Sequence, residues 1–585
     1  MRMHRIHATS LARRGWTSSG QSAQVNLEDS PAPAGIFLLA SYLADVHYRP
    51  MQGAITTFWG KLDNEEGQAR SWHPLLHHCA DVAACAEALL ANTLLGARMA
   101  AWGNLEGLNA EHIARLSVLA ALHDIGKYNG GFQAKSGDCA KVARCGHVRE
   151  VLALFGENFS EQTDRLVEVL PISEFELWSL DPCSTFELLV AAIGHHGRPY
   201  TCSRPDNFNA SGIWTSKDID DPFAGIAELV AATRRWFPAA FEPGGLPLPN
   251  EATFAHGFSG LVMLADWLGS HRDFFPFSST LAHDHMPRAR TQAQAALLAV
   301  GLDVRPARSA LGPSRPTFST ISPFPSPQPV QSATGDLPLK AGGSLTILEA
   351  ETGSGKTEAA LLRYIQLFQA GLVDGLYFAL PTRTAATQIH RRVVDAVARA
   401  FPGQVERPPV LLAVPGYLRV DGSDGRRLPG FKVLWNDDPH QRMRFRGWAA
   451  ENSKRYLAGA VVIGTIDQVL MSTIMASHAH LRATSLSRLL LVVDEVHASD
   501  IYMNRLLKEV LRFHLQAKGH ALLMSATLGA DARSQLLSAV GAHSPAPPPE
   551  EASCLPYPMI SHYQPERPVV QIAIGQSERT KTVQP

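Results

Sequence analysis

The chain has 585 residues, 45% of them hydrophobic and 18% charged, a composition that fits a globular protein of three to four domains at roughly 100–200 residues each. A formal net charge of −1 excludes a uniformly basic nucleic-acid coat, so any DNA contact must come from local patches. Seven cysteines without a regular C-x-x-C framework suit a reducing, cytoplasmic setting, and no apolar run approaches the roughly 18 residues of a membrane span.

In chain order, residues 1–50 read as an unassigned N-terminal extension. Its first twenty residues are basic and lack acids, but no apolar h-region follows. Residues 51–300 carry helical apolar periodicity at 113–122, 186–193 and 258–268, which predicts an all-α domain. His123 and Asp124 adjoin in A-A-L-H-D-I-G-K, with Lys127 one turn on, where all three can face one cavity. His78, His147, the pair His195 and His196, and Asp266 sit in similarly apolar surroundings. Buried without partners, such groups would each cost several kcal/mol. Any one histidine alone is more often a satisfied core residue. The whole order H…HD…H…HH…D argues instead for metal ligation, and imidazole-rich sites favour Mn, Fe, Co or Ni over Mg.

Prolines 306, 313, 316, 323, 325, 327 and 329 are too dense for a helix or central strand, so residues 301–330 are expected to be an interdomain linker. Residues 331–545 then alternate short strand-like runs (345–348, 376–380, 461–463, 489–493, 521–524) with helical segments, the pattern of a parallel α/β sheet with its site at the strand C-terminal edge. Between the first such strand and a helix lies E-T-G-S-G-K-T. Gly353, Ser354 and Gly355 let consecutive N–H groups face a phosphate chain, Lys356 supplies a point charge and Thr357 a magnesium-binding hydroxyl. Asp494, after the run 489–493, is placed to hold magnesium, and Glu495 to orient an attacking water. The segment 442–448, R-M-R-F-R-G-W, suits nucleic acid by composition, although a solvated helix face is the safer reading. Residues 546–585 open on a proline cluster and read as a tail.

The histidine and aspartate order resembles the HD phosphohydrolase superfamily. The second half narrows the resemblance: Gly464-Thr465-Ile466-Asp467-Gln468, Asp494-Glu495-Val496-His497-Ala498 and Ser525-Ala526-Thr527-Leu528 are similar to superfamily 2 helicase motifs. The version is that of the type I CRISPR-associated helicase-nuclease. The resemblance spans residues 58–559 and implies an HD-type domain followed by a RecA-like helicase lobe.

It further implies that His78, His123, Asp124 and Asp266 hold one metal and Asp124, His147, His195 and His196 a second, with Asp124 bridging and His123, Asp124 and Lys127 at the scissile phosphate. His77 competes with His78, which the family spacing to Asp81 favours. Ser270 is implied to touch the DNA backbone, with a cap or a solvent-facing serine as the alternative. In the motor, Phe324 and Gln331 resemble an adenine-reading motif. Pro381, Thr382, Arg383 and Thr465 would grip a tracking strand, and His497, Ser525 and Thr527 would relay nucleotide state.

One departure stands out: the stretch after Thr527 is too short for a second RecA-like lobe, and Tyr557-Pro558-Met559 resembles the entry to it. The expectation is a metal-dependent single-stranded DNA nuclease with the first lobe of an ATP- and Mg-dependent 3′–5′ helicase, recruited by an RNA-guided surveillance complex (Cascade) in antiviral defence. The alternatives are an HD-type nucleotide or phosphoester hydrolase with an accessory ATPase, or an inactive recruitment module.

Overall fold

A computed structural model describes residues 58–65, 68–136, 143–155, 160–197, 210–215, 220–278, 280–282, 284–403, 407–428, 433–435, 445–498 and 500–575. The expected extension 1–50 and residues 442–444 lie outside them. No single described helix is long and apolar enough to cross a membrane.

The first half is helical, as expected, with one addition. Strands β1 (Trp59–Glu65) and β2 (Gln68–Pro74) form an antiparallel hairpin ahead of the first helix, Leu75–Asn92. Helices Ala110–Ala121, Pro182–Ile193 and Ala252–Gly269 pack with Leu75–Asn92 into one core. The three segments with helical periodicity all fall on these helices.

The second half is an eleven-stranded sheet. Its strands are β3 (Ser344–Glu349), β4 (Gly375–Leu380), β5 (Val410–Ala413), β6 (Arg419–Val420), β7 (Ser423–Arg427), β8 (Val433–Trp435), β9 (Val461–Thr465), β10 (Leu489–Val493), β11 (His520–Ser525), β12 (Met559–Tyr563) and β13 (Val570–Ala573). The order is β13-β12-β3-β11-β10-β4-β9-β5-β6-β7-β8. From β3 to β5 all neighbours are parallel. Period-2 alternation splits the central strands between two cores. Leu345, Ile347, Leu489, Leu491, Ala521 and Leu523 share one with the helical domain, while Leu348, Leu490, Val492, Leu522 and Met524 face helices Lys356–Gln369 and Arg383–Ala400. Burial on both faces is why these strands read as unbroken apolar runs.

Three expectations change. The proline-rich segment is not an extended linker: it forms short helices Arg305–Ala310, Phe318–Ile321 and Pro329–Gly335, and Ala307, Phe318, Ile321 and Val330 are buried against the motor lobe. Pro306 and Pro329 sit in first turns, where the missing N–H is no loss. The tail is not outside the lobe, because β12 pairs antiparallel with β3. In the R-M-R-F-R-G-W segment, Arg446 is paired with Asp421 at 2.7 Å and Trp448 is buried, so its described part is committed to the fold rather than to nucleic acid or solvent.

The halves are joined by specific bonds. The Trp102 indole donates to Phe513 O at 3.1 Å, and Arg98 donates to Ala517 O at 3.2 Å and to Leu372 O at 2.6 Å. Asp374, buried at the start of β4, accepts from Leu94 N through Oδ2 (2.7 Å) and pairs with Arg308 through Oδ1 (2.9 Å).

Candidate metal centre and nucleotide site

Five separate elements deliver the titratable groups of the helical domain to one point. His78 stands in the first turn of Leu75–Asn92, and His123, Asp124 and Lys127 lie on the 3-10 turn Leu122–Tyr128 that ends Ala110–Ala121. Asp124 departs from helical geometry there (φ −108, ψ 18), which swings its carboxylate inward. His147 precedes the helix Val148–Leu152, His195 and His196 follow Pro182–Ile193 just after Gly194, and Asp266 lies in the last turn of Ala252–Gly269.

The two oxygens of Asp124 face different partners. Oδ2 lies 3.0 Å from His78 Nε2, 3.2 Å from His123 Nε2 and 2.5 Å from Lys127 Nζ. Oδ1 lies 3.2 Å from His147 Nε2 and 3.7 Å from His195 Nε2. Asp266 Oδ1 closes the first group, 3.5 Å from His78 Nε2, and His196 Nε2 closes the second, 2.9 Å from His147 Nε2. Donor atoms of His78, His123 and Asp266, and those of His147, His195 and His196, each fall within 4.8 Å of one another.

Hydrogen bonding fixes which nitrogen points inward. His123 Nδ1 donates to Ala120 O at 2.8 Å and His195 Nδ1 to Ala192 O at 3.1 Å, which leaves each Nε2 as a lone-pair donor. Burial, then Lys61, lowers the His78 pKa to about 4; burial, then His147, lowers that of His196 to about 4; burial also drives His195 well below its usual value. All three are thereby held in the neutral form that ligates. Burial alone would raise the carboxyls, but Lys127 and His123 pull Asp124, and Lys61 and His78 pull Asp266, well below the usual range. Both nitrogens of His78, Nε2 of His123 and Oδ1 of Asp124 are buried without a hydrogen bond, whereas Asp124 Oδ2 is met by the Lys127 ammonium. Such orphaned atoms each cost about 1–3 kcal/mol, and cations are the partners this donor set fits.

The competition between His77 and His78 is resolved by direction. His77 turns away, its Nδ1 3.0 Å from Ser278 Oγ and its Nε2 3.1 Å from Ala282 O. Ser270 donates to Asp266 Oδ1 at 2.8 Å, so its hydroxyl is already spent inside the centre.

In the motor lobe the candidate residues gather at the C-terminal edge of the parallel strands. Gly353 and Gly355 take φ of 87° and 89°, and Gly355 opens the helix that Lys356 and Thr357 begin. Lys356 Nζ donates to Ala350 O at 2.6 Å, and Ser354 Oγ to Glu351 O at 2.7 Å. Asp494 and Glu495 follow β10, and burial, then Glu495, raises the Asp494 pKa. Glu495 holds φ of 53°, a costly conformation for a side-chain-bearing residue. His497 Nδ1 lies 2.9 Å from Ser525 Oγ and 3.2 Å from Glu495 Oε2, and Thr527 N donates to Ser525 Oγ at 3.1 Å. That chain runs unbroken from the end of β10 to the end of β11.

Pro381, Thr382 and Arg383 are exposed after β4, whereas Thr465 is buried at the end of β9. Gln331 departs from the adenine-reading expectation. Its Oε1 accepts from Gln328 N at 2.7 Å and its Nε2 donates to Gly355 O at 3.3 Å, so the amide braces the glycine loop, while Phe324 is exposed.

Residues 59–275 match the family model described as Cas3, HD domain. Over most of its length the chain is similar to Cas3 proteins. It is 28% identical over 542 residues to the CRISPR-associated endonuclease/helicase Cas3 of Escherichia coli, covering 87% of this chain and 57% of that protein. Against the CRISPR-associated endonuclease/helicase Cas3 of Thermus thermophilus it is 29% identical over 513 residues, covering 84% and 51%. The crystal structure of T. fusca Cas3-ATP shares the fold at a TM-score of 0.65 and 24% identity, covering 91% of this chain and 58% of that one. The chain therefore spans little more than half the length of these Cas3 proteins.

Within this Cas3 HD domain, sequence reasoning missed several residues. Asn129 Nδ2 donates to Gly126 O (2.7 Å) and Gly146 O (3.0 Å), which ties the turn of Asp124 to the loop of His147. The Asn-Gly-Gly that follows Tyr128 is an N-cap and turn signal that could have revealed it. Lys61, on β1, lies 3.6 Å from Asp266 Oδ1 with no motif to announce it. A separate buried group joins Asp81 to His73 (2.8 Å) and His285 (2.7 Å). There the His77 and His285 rings stack in parallel at 4.0 Å, so their in-plane lone pairs cannot converge on one ion. That group is a polar core cross-link.

Proposed function

We propose that this chain carries a metal-dependent phosphodiesterase acting on single-stranded DNA, joined to an ATP-binding helicase lobe, and that it serves CRISPR interference as the names of its relatives indicate. The observation that carries the reading is the division of the Asp124 oxygens between two sets of imidazoles, with His78 Nε2, His123 Nε2 and Asp124 Oδ1 buried and without a hydrogen bond.

His78, His123, Asp124 and Asp266 would hold one ion and Asp124, His147, His195 and His196 a second, from among Mn, Fe, Co and Ni. When bound, such a pair supplies an activated water and charge stabilisation on a phosphodiester. The protein's own part is to orient. The Nδ1 bonds of His123 and His195 to backbone carbonyls lock their rings, and Lys127 sits on Asp124, where it can meet the scissile phosphate.

In the motor, residues 353–357 would cradle the phosphates of ATP, with Asp494 and Thr357 on Mg and Glu495 orienting water. Gln331 supports that loop from behind. Pro381, Thr382, Arg383 and Thr465 would track DNA through its backbone, and His497, Ser525 and Thr527 would pass the nucleotide state onward. The partner is an RNA-guided surveillance complex that exposes the strand. The test is hydrolysis of circular single-stranded DNA against deoxynucleoside triphosphates and cyclic nucleotides, with Mn, Co or Ni and no ATP. Cutting of DNA alone supports the reading; preferential hydrolysis of small nucleotides overturns it.

A further inference from the structure

Two ammonium groups, not one, meet the carboxylates of the HD centre. Lys127 is buried, with Nζ 2.5 Å from Asp124 Oδ2 and donating to Gly60 O at 3.2 Å. Lys61 is different. Its side chain keeps 26% of its surface exposed, and its Nζ stands 3.6 Å from Asp266 Oδ1, beyond hydrogen-bonding distance. That oxygen takes its hydrogen bond from Ser270 rather than from Lys61. An ammonium at the open side of the centre is therefore free to engage an incoming anion.

The strand that carries it is fixed. Trp59 N donates to Gln133 Oε1 at 3.1 Å, and Gln133 Nε2 donates to both Trp59 O (3.1 Å) and Lys127 O (2.7 Å), which ties β1 to the Asp124 turn. On the other side Asp63 pairs with Arg272 at 2.9 Å. Gly60 lets β1 lie against His78, since a Cβ there would stand 3.0 Å from His78 Cβ. Lys61 is thus presented by a braced backbone, the arrangement that preorganised charge stabilisation requires.

We propose that Lys61 is a catalytic residue that binds a non-bridging oxygen of the scissile phosphodiester and neutralises the charge that grows there. The proposal rests on the phosphodiesterase reading of the centre. In the reaction a water-derived oxygen bonds to phosphorus, the bond to the leaving deoxyribose oxygen breaks with its electron pair, and that oxygen takes up the proton the water gives up. Lys61 exchanges no proton and acts through its charge alone.

The test compares wild type, Lys61→Gln and Lys61→Arg, each loaded with Mn. Three quantities are read: metal content, calorimetric binding of inorganic phosphate, and kcat/KM on a single-stranded oligonucleotide and on bis(p-nitrophenyl) phosphate. Loss of one such stabilising group costs about 10²–10³ in rate. The expected result is a loss of that size on both substrates in Lys61→Gln, weaker phosphate binding, unchanged metal content and substantial recovery in Lys61→Arg. Unchanged kcat/KM and phosphate binding, or a loss that tracks loss of metal, would overturn it. If wild type cleaves neither substrate, the phosphodiesterase reading fails, and phosphate binding to the three proteins still reports the Lys61 contact.

Discussion

Gly126 and His147 are in backbone contact: a Cβ on residue 126 would overlap the carbonyl carbon and oxygen of His147. The loop that presents His147 to Asp124 therefore lies directly on the turn that presents Asp124, and Asn129 bonds to both. Gly126→Ala should push His147 outward, with a fall in bound metal and at least a tenfold loss of DNA cutting. Metal analysis beside a cleavage assay checks this, with circular dichroism to confirm that the fold persists.

Asp124→Ala removes a carboxylate whose two oxygens face different imidazole sets. Cutting of single-stranded DNA should fall to background, because both proposed ions lose a ligand at once. Undiminished cutting in a folded Asp124→Ala protein would mean that the centre is misassigned.

Lys356→Ala should abolish nucleotide binding while leaving cleavage of already single-stranded DNA nearly unchanged, since Lys356 bonds only within its own loop. A fluorescent nucleotide titration beside a cleavage assay reads the two effects separately. Loss of cutting would show that the lobes are catalytically coupled.

Acid should weaken the fold through histidines far from either centre. Burial lowers His514 and His562 to about 4, and burial, then His480, lowers His256 to about 3. Their folded values lie below the unfolded value of 6.5, so between the two the unfolded chain binds more protons. Stability is then full above the unfolded value and is lost as pH falls toward the folded one. At about 1.4 kcal/mol per unit, each contributes on the order of 3–5 kcal/mol. Urea midpoints should drop steadily from pH 6.5 to 4.5, and less steeply in a His514→Gln, His562→Gln double variant.

Much of this was legible because the physics is local. The central strands are buried on both faces and so read as apolar runs, and each ends at a motif because α/β sheets place ligands at strand C-termini. The order of histidines and aspartates pointed to one cluster and the spacing to Asp81 favoured His78; in the structure the His77 and His78 rings, one residue apart, point to different partners. The β1–β2 hairpin escaped notice because its residues, Lys61, Asp63, Asn64 and Glu65 among them, carry no apolar alternation, and Gln133 anchors it from a distance. Proline density misled at 301–330, where Pro306 and Pro329 start helices rather than break them. The place of β12 beside β3 is a long-range pairing that no local pattern encodes.

Asp374 lies in neither candidate site, yet one carboxylate there receives the amide of Leu94 from the helical domain and the guanidinium of Arg308 from the proline-rich segment. A genetic screen for loss of DNA cutting and a separate screen for loss of nucleotide binding should therefore both return position 374. A shared hit of that kind would pass for an active-site residue, although its place in the molecule is that of a rivet.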